Sequence, residues 1–145
     1  MKISRFLIGV IITLMTLLSF SACTPDATET VQIIPTPRSG TTTVAGVLVS
    51  YDGVPYTDVI VRLAEVYRKD GAAAFALDAA FSPGGTTNEN GEFVIPNIVP
   101  GEYVMIIGDP AVNYIIIDDP ETGKARVWMA PLDGVLDVGV LQIDF

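Results

Sequence analysis

The chain has 145 residues, with 8 Lys or Arg against 17 Asp or Glu and a net charge of −9. It contains no histidine and one cysteine. This excludes histidine-based triads, histidine-ligated zinc and an intrachain disulfide, and it weighs against nucleic acid, whose binding is led by basic groups neutralising phosphates.

The chain opens with the three parts of a secretory signal. Lys2 and Arg5 supply a positive start, and Phe6 to Phe20 form an apolar stretch broken by Gly9, Thr13, Thr16 and Ser19. That stretch is short of the roughly 20 apolar residues a bilayer-spanning helix needs, which favours a cleaved signal. Ser21 and Ala22 are small and directly precede Cys23. Phe20-Ser21-Ala22-Cys23 resembles a bacterial lipobox, with Phe20 standing where Leu is usual. The resemblance implies cleavage after residue 22 and lipidation of Cys23, which would hold the mature protein to a membrane outside the cytoplasm. Cleavage also removes Lys2 and Arg5 but no acidic residue, so the mature chain is more acidic still.

Residues 23–42 read as a Thr- and Pro-rich tether, with Pro35 and Pro37 favouring extended backbone. Fully stretched it would reach roughly 60 Å. Val31, Ile33 and Ile34 interrupt its polarity and fit either a stray strand or a partly ordered linker.

Residues 43–145 are expected to form one domain of β-strands. Val44 to Ser50 is rich in β-branched residues, and Tyr51 to Pro55 turns the chain. From Asp58 to Tyr67, Val59, Val61 and Leu63 alternate with Ile60, Arg62 and Ala64, the mark of a strand with one core face. Arg68 to Gly71 is a hairpin turn. Ala72 to Phe81 carries helix-favouring alanines, yet Phe75, Leu77, Ala79 and Phe81 recur with period two, and a strand is expected. Ser82 to Gly85 reads as a break and Asn88 to Gly91 as a tight turn. Strands follow at Glu92–Pro96, Glu102–Gly108, Tyr114–Ile117 and Ala125–Met129, the last two bracketing a hairpin loop at 118–123. In Leu136–Phe145 the apolar parity changes between Val138 and Leu141, and a bulge at Gly139 reconciles it. Phe93 and Tyr103 are expected in the core on neighbouring strands. Seven or eight short strands separated by turns indicate an all-β, antiparallel, immunoglobulin-like sandwich.

The stretch from Thr43 to Leu63 and that from Thr86 to Ile107 resemble the carboxypeptidase regulatory-like domain, a transthyretin-like sandwich. The matching positions are Gly46, Gly53 with Pro55, Val59 with Val61, Thr87, Gly91, Phe93, and Pro100-Gly101-Glu102-Tyr103, with Leu136–Phe145 as the closing strand. The resemblance implies the fold; function lives in sites grafted on folds. The enzymes of related sandwiches rely on histidine ligands or bases, which this chain lacks.

No nucleophile–base pair is visible, and no catalytic residue, cofactor or metal is assigned. Asn88, Asn90 and Glu92, and Asp118, Asp119 and Glu121, offer oxygens to calcium, but turns require the same residue types. Tyr51, Tyr56, Tyr67, Tyr114 and Trp128 are candidates for stacking on a sugar ring, Trp128 and Tyr114 foremost, although Trp128 in Val127-Trp128-Met129 fits core packing better. The expected protein is a monomeric, non-enzymatic surface or envelope module, anchored by lipid and bound to an envelope protein or a glycan. The alternative is a carbohydrate- or peptide-binding accessory to a separate enzyme or transporter.

Overall fold

Alternation decides the architecture. Val61 and Leu63, then Phe93 and Ile95, then Tyr103, Met105 and Ile107 are each spaced by two, and all seven are buried. A strand turns such residues to one face, and two faces of this kind close on each other as a sandwich. The computed structural model describes residues 32–78 and 80–145. Cys23 and the expected signal lie outside the described residues.

Nine strands make up the fold among the described residues: β1 Thr42–Ser50, β2 Ile60–Lys69, β3 Ala72–Ala76, β4 Gly84–Thr86, β5 Glu92–Ile98, β6 Gly101–Asp109, β7 Asn113–Ile116, β8 Val127–Ala130 and β9 Val135–Ile143. One sheet has the order β5-β1-β9. The larger has the order β3-β2-β6-β7, with β4 also pairing with β2 and β8 with β6. All pairings are antiparallel except β1 with β9. Phe93 on β5 and Tyr103 on β6 therefore belong to opposite sheets rather than to neighbouring strands, and both join the shared core with Leu48, Leu63, Met105 and Trp128.

The turns follow residue chemistry. Asp70 and Gly71 both have positive φ, at 51° and 81°, and close the two-residue hairpin between Lys69 and Ala72. In β9 the register against β1 slips between Asp137 and Val140, and Gly139 has a φ of 72°. This is the expected bulge, and it turns Leu141 and Ile143 inward. Gly46 on β1 lies opposite Phe93, whose ring occupies the space of the missing side chain: a Cβ there would sit 2.9 Å from Phe93 Cζ.

Three further expectations are corrected. The strand from Ala72 ends at Ala76, because Asp78 folds the next residues into a turn by accepting bonds from the Ala80 and Phe81 amides. Gly84 and Gly85 do not break the chain but begin β4. A Cβ on Gly85 would lie 3.0 Å from the Val94 carbonyl oxygen, so glycine lets β4 pass close to β5. Finally, β7 and β8 do not pair with each other. Both lie along β6, and the 118–125 loop is an excursion closed by the Asp118–Ala125 bridge.

The folded unit begins before β1 and comprises Gln32–Phe145. Gln32 donates from Nε2 to the Phe93 carbonyl at 3.1 Å, Thr43 from Oγ1 to the Pro35 carbonyl at 3.3 Å, and the Gly40 amide to Asp133 Oδ1. Residues 32–41 of the expected tether thus lie against the sandwich without forming a strand, and its last residue, Thr42, already belongs to β1.

Candidate functional site

The core-facing positions of β2 are Val61, Leu63, Glu65 and Tyr67. The first two are buried and the last two exposed. The larger sheet continues past the point where the smaller one covers it, and this overhang forms the floor of a cleft of about 840 Å³. Its floor is Glu65 and Tyr67 on β2 with Tyr103 on β6, where Glu65 is the cross-strand partner of Tyr103. One wall is the β3–β4 loop, which contributes Leu77, Asp78 and Phe81. The other is the β5–β6 turn, with Asn97 and Val99.

The walls are fixed by local bonds. Asp78 accepts from the Ala80 amide at 2.8 Å and the Phe81 amide at 3.2 Å, while Ser82 Oγ accepts from the Asp78 amide at 2.9 Å. The Pro83 carbonyl accepts from the Leu63 amide at 2.9 Å and ties the loop to β2. Asn97 has a φ of 61°, a conformation asparagine tolerates better than most residues. Tyr103 donates its hydroxyl to the Val99 carbonyl at 2.8 Å, pinning the β5–β6 turn from below. A tyrosine bonded in this way to backbone a few residues upstream recurs in sandwich folds.

The surface these elements present is mixed in character. Phe81 is 86% and Tyr67 56% exposed, so aromatic area faces solvent on both floor and wall. Tyr67 donates to Glu65 Oε2 at 2.8 Å. That bond, then the carboxylate charge, pushes the Tyr67 hydroxyl pKa up from the ordinary tyrosine value. Burial raises that of Tyr103, helped by the charge of Glu65. Among the described residues no Lys or Arg lines the cleft. Glu65 and Asp78 are both exposed and both engaged locally, so they do not form a buried carboxylate pair.

The two aromatic candidates singled out from sequence lie elsewhere. Trp128 is 7% exposed and belongs to the core, with the Arg126 guanidinium 5.0 Å from its ring centroid. That placement is the core packing its sequence favoured, and it takes Trp128 out of the stacking candidates: its neighbours on the inner face of the sheet are core residues. Tyr114 is half exposed but pairs with Gly108, five residues along β6 from the Tyr103 that faces Trp128. At about 3.3 Å per residue the two are roughly 17 Å apart along the strand, so the structure does not bring them together. Tyr51 is exposed, and Tyr56 packs edge-on against Phe145 at 5.5 Å. Of the tyrosines named, only Tyr67 reaches the cleft.

The oxygen-rich loops are occupied by their own backbone. Asn88 Oδ1 accepts from the Asn90 and Glu92 amides, and Asp119 Oδ1 from the Glu121 and Thr122 amides and the Thr122 hydroxyl. Among the described residues no group of three or more Asp, Glu, His or Cys is placed to hold a metal ion. Phe81, Glu65 and Asn97 were not singled out from sequence. The available signal was the change on β2 from Val61 and Leu63 to Glu65 and Tyr67 at constant parity.

No protein-family model matches this chain, and no curated protein matches it. Several solved structures do. A 9R-lipoxygenase from Cyanothece PCC8801 is 14% identical over 78% of this chain and 18% of its own, with a TM-score of 0.43. A candidate carbohydrate-binding protein from Pseudomonas aeruginosa is 17% identical over 74% of this chain and 92% of its own, at 0.45. The dioxygenase domain of a dioxygenase–carbohydrate-binding fusion from Streptomyces sp. SirexAA-E is 16% identical over 77% and 86%, at 0.41. This chain spans less than a fifth of the lipoxygenase. Such distant likenesses carry no argument about chemistry.

Proposed function

We propose that this protein is a lipid-anchored, extracytoplasmic binding module of the carboxypeptidase regulatory-like class, without catalytic activity of its own. The anchor rests on Cys23 following Phe20-Ser21-Ala22. The single observation that carries the binding role is the cleft on the overhanging sheet, with two exposed aromatic rings on a rigidly bonded frame. Sites for small ligands are concave, with apolar and aromatic lining and a few placed polar groups, and this cleft has that character. It favours the accessory-binder form of the reading over a purely scaffolding one, because scaffolding alone requires no shaped concavity. The acidic balance argues against nucleic acid as a partner.

The test has two arms. Intact mass of membrane-extracted protein is expected to show an acylated Cys23 at the N-terminus, and Cys23→Ala to release the protein or leave it unprocessed. An unmodified mature mass rejects the anchor. A panel of chromogenic glycosides, esters and peptides is expected to show no turnover. Turnover abolished by Glu65→Gln would overturn the non-enzymatic reading and make the cleft an active site.

A further inference from the structure

We infer that the cleft binds an uncharged, hydroxyl-rich ligand, a neutral oligosaccharide, with Tyr67 and Phe81 as its stacking surfaces. This rests on the reading of the cleft as the binding surface. The occupant follows from what the lining can and cannot do. It has no Lys or Arg, and it carries the Glu65 and Asp78 carboxylates within a chain of net charge −9. An anionic ligand would meet like charge with nothing to offset it. A wholly apolar ligand would strip water from the Glu65 and Asp78 carboxylates and the Asn97 amide without offering a hydrogen bond in its place, which costs free energy for each polar group so desolvated.

A pyranose ring satisfies both halves of this surface. Its axial C–H groups form an apolar face that packs on an aromatic ring, and its rim of hydroxyls donates to acceptors. The cleft supplies the two kinds of group side by side. Tyr67 and Phe81 are among its most exposed rings, and no core residue depends on either. Glu65 accepts from Tyr67 through Oε2, and a carboxylate with two oxygens keeps further capacity to accept from a ligand hydroxyl. The Tyr67 ring is also restrained by that hydroxyl bond, so less side-chain freedom is lost when a sugar packs on it. A cleft of about 840 Å³ is the size of a site for a short oligosaccharide rather than a single ring.

The experiment uses the full chain purified in mild detergent, on an array carrying neutral oligosaccharides, sulfated and uronic-acid glycans, and extended peptides. Hits are followed by calorimetric titration. The expected result is binding to at least one neutral oligosaccharide series and none to the sulfated series. Affinity should fall about tenfold or more in Tyr67→Ala and in Phe81→Ala, and stay unchanged in Tyr51→Ala. Both ring positions are exposed, and unchanged melting curves would show that the variants fold. Binding of peptides alone, lost in Tyr67→Ala, would overturn the glycan assignment while leaving the cleft as the binding site. Glycan binding that survives both ring removals would overturn the placement in the cleft. Preference for sulfated glycans would overturn the charge argument.

Discussion

The two halves of β2 make an instructive contrast. From Ile60 to Ala64 the strand is hydrogen-bonded on both sides and its inward residues Val61 and Leu63 are buried. From Glu65 to Lys69 the same strand, in the same register, pairs with β3 and carries Glu65 and Tyr67 on the equivalent face, exposed. Backbone geometry does not change between them; what lies opposite does. The first half faces the smaller sheet and is held by apolar burial. The second half has outrun its cover, and its side chains face solvent. The difference between a core and an open cleft here is whether a second sheet is present.

If that contrast is right, substitutions should separate by half. The largest loss is expected from Phe93→Ala at the covered end. Removing a buried aromatic typically costs about 3–5 kcal/mol, against a domain stability of roughly 5–15 kcal/mol. The midpoint of urea unfolding should collapse; an unmoved midpoint would mean that the two sheets do not close as described.

Gly46→Ala comes next. A Cβ there meets Val138 Cγ2 at 2.5 Å, Phe93 Cζ at 2.9 Å and the Gly139 carbonyl oxygen at 3.0 Å. Overpacking of this kind costs about 1–3 kcal/mol, and thermal melting should report it. A variant as stable as the parent would show that the Phe93 ring does not occupy the glycine's place.

Tyr103→Phe stands at the border between the halves. It keeps the packing and removes the bond to the Val99 carbonyl, with an expected loss of about 0.5–1.5 kcal/mol. Hydrogen exchange should accelerate first in the β5–β6 turn. Exchange that quickens uniformly would detach that turn from the tyrosine.

The smallest effect is expected in the uncovered half. Glu65→Gln removes the carboxylate that raises the Tyr67 hydroxyl pKa. A raised folded-state value means that stability is present below the ordinary tyrosine range and lost as pH rises through the folded value. The variant should therefore ionise one tyrosine at lower pH, visible as phenolate absorbance, with only a slight fall in the urea midpoint at neutral pH because the pair is exposed. An unchanged titration would break the Glu65–Tyr67 pair.

Much of the covered half could be read from the chain. Period two placed Val61, Leu63, Phe93, Ile95, Met105 and Ile107 inside, Asp70-Gly71 marked its hairpin, and the change of parity around Gly139 gave the bulge. These are short-range signals, carried by residues within a few positions of one another. What escaped depends on distant neighbours. Gly84 and Gly85 look like a break until β5 is seen pressing on them. Gln32 and Gly40 look like tether until their partners, Phe93 and Asp133, are folded beside them. The cleft was hidden for the same reason, because no local pattern states where one sheet stops covering another.

The docking of residues 32–41 on the sandwich also sets a length. With a lipid on Cys23, as proposed, only residues 24–31 separate the acylated cysteine from a segment bonded to the fold. Whatever their conformation, eight residues span at most about 27 Å. That is roughly the thickness of a bilayer's hydrocarbon core, less than half the reach of the whole stretch from 24 to 42. So anchored, the module would be moored on a short line. It would sample only the layer next to its own membrane, and whatever it bound would have to come to that layer or already be there.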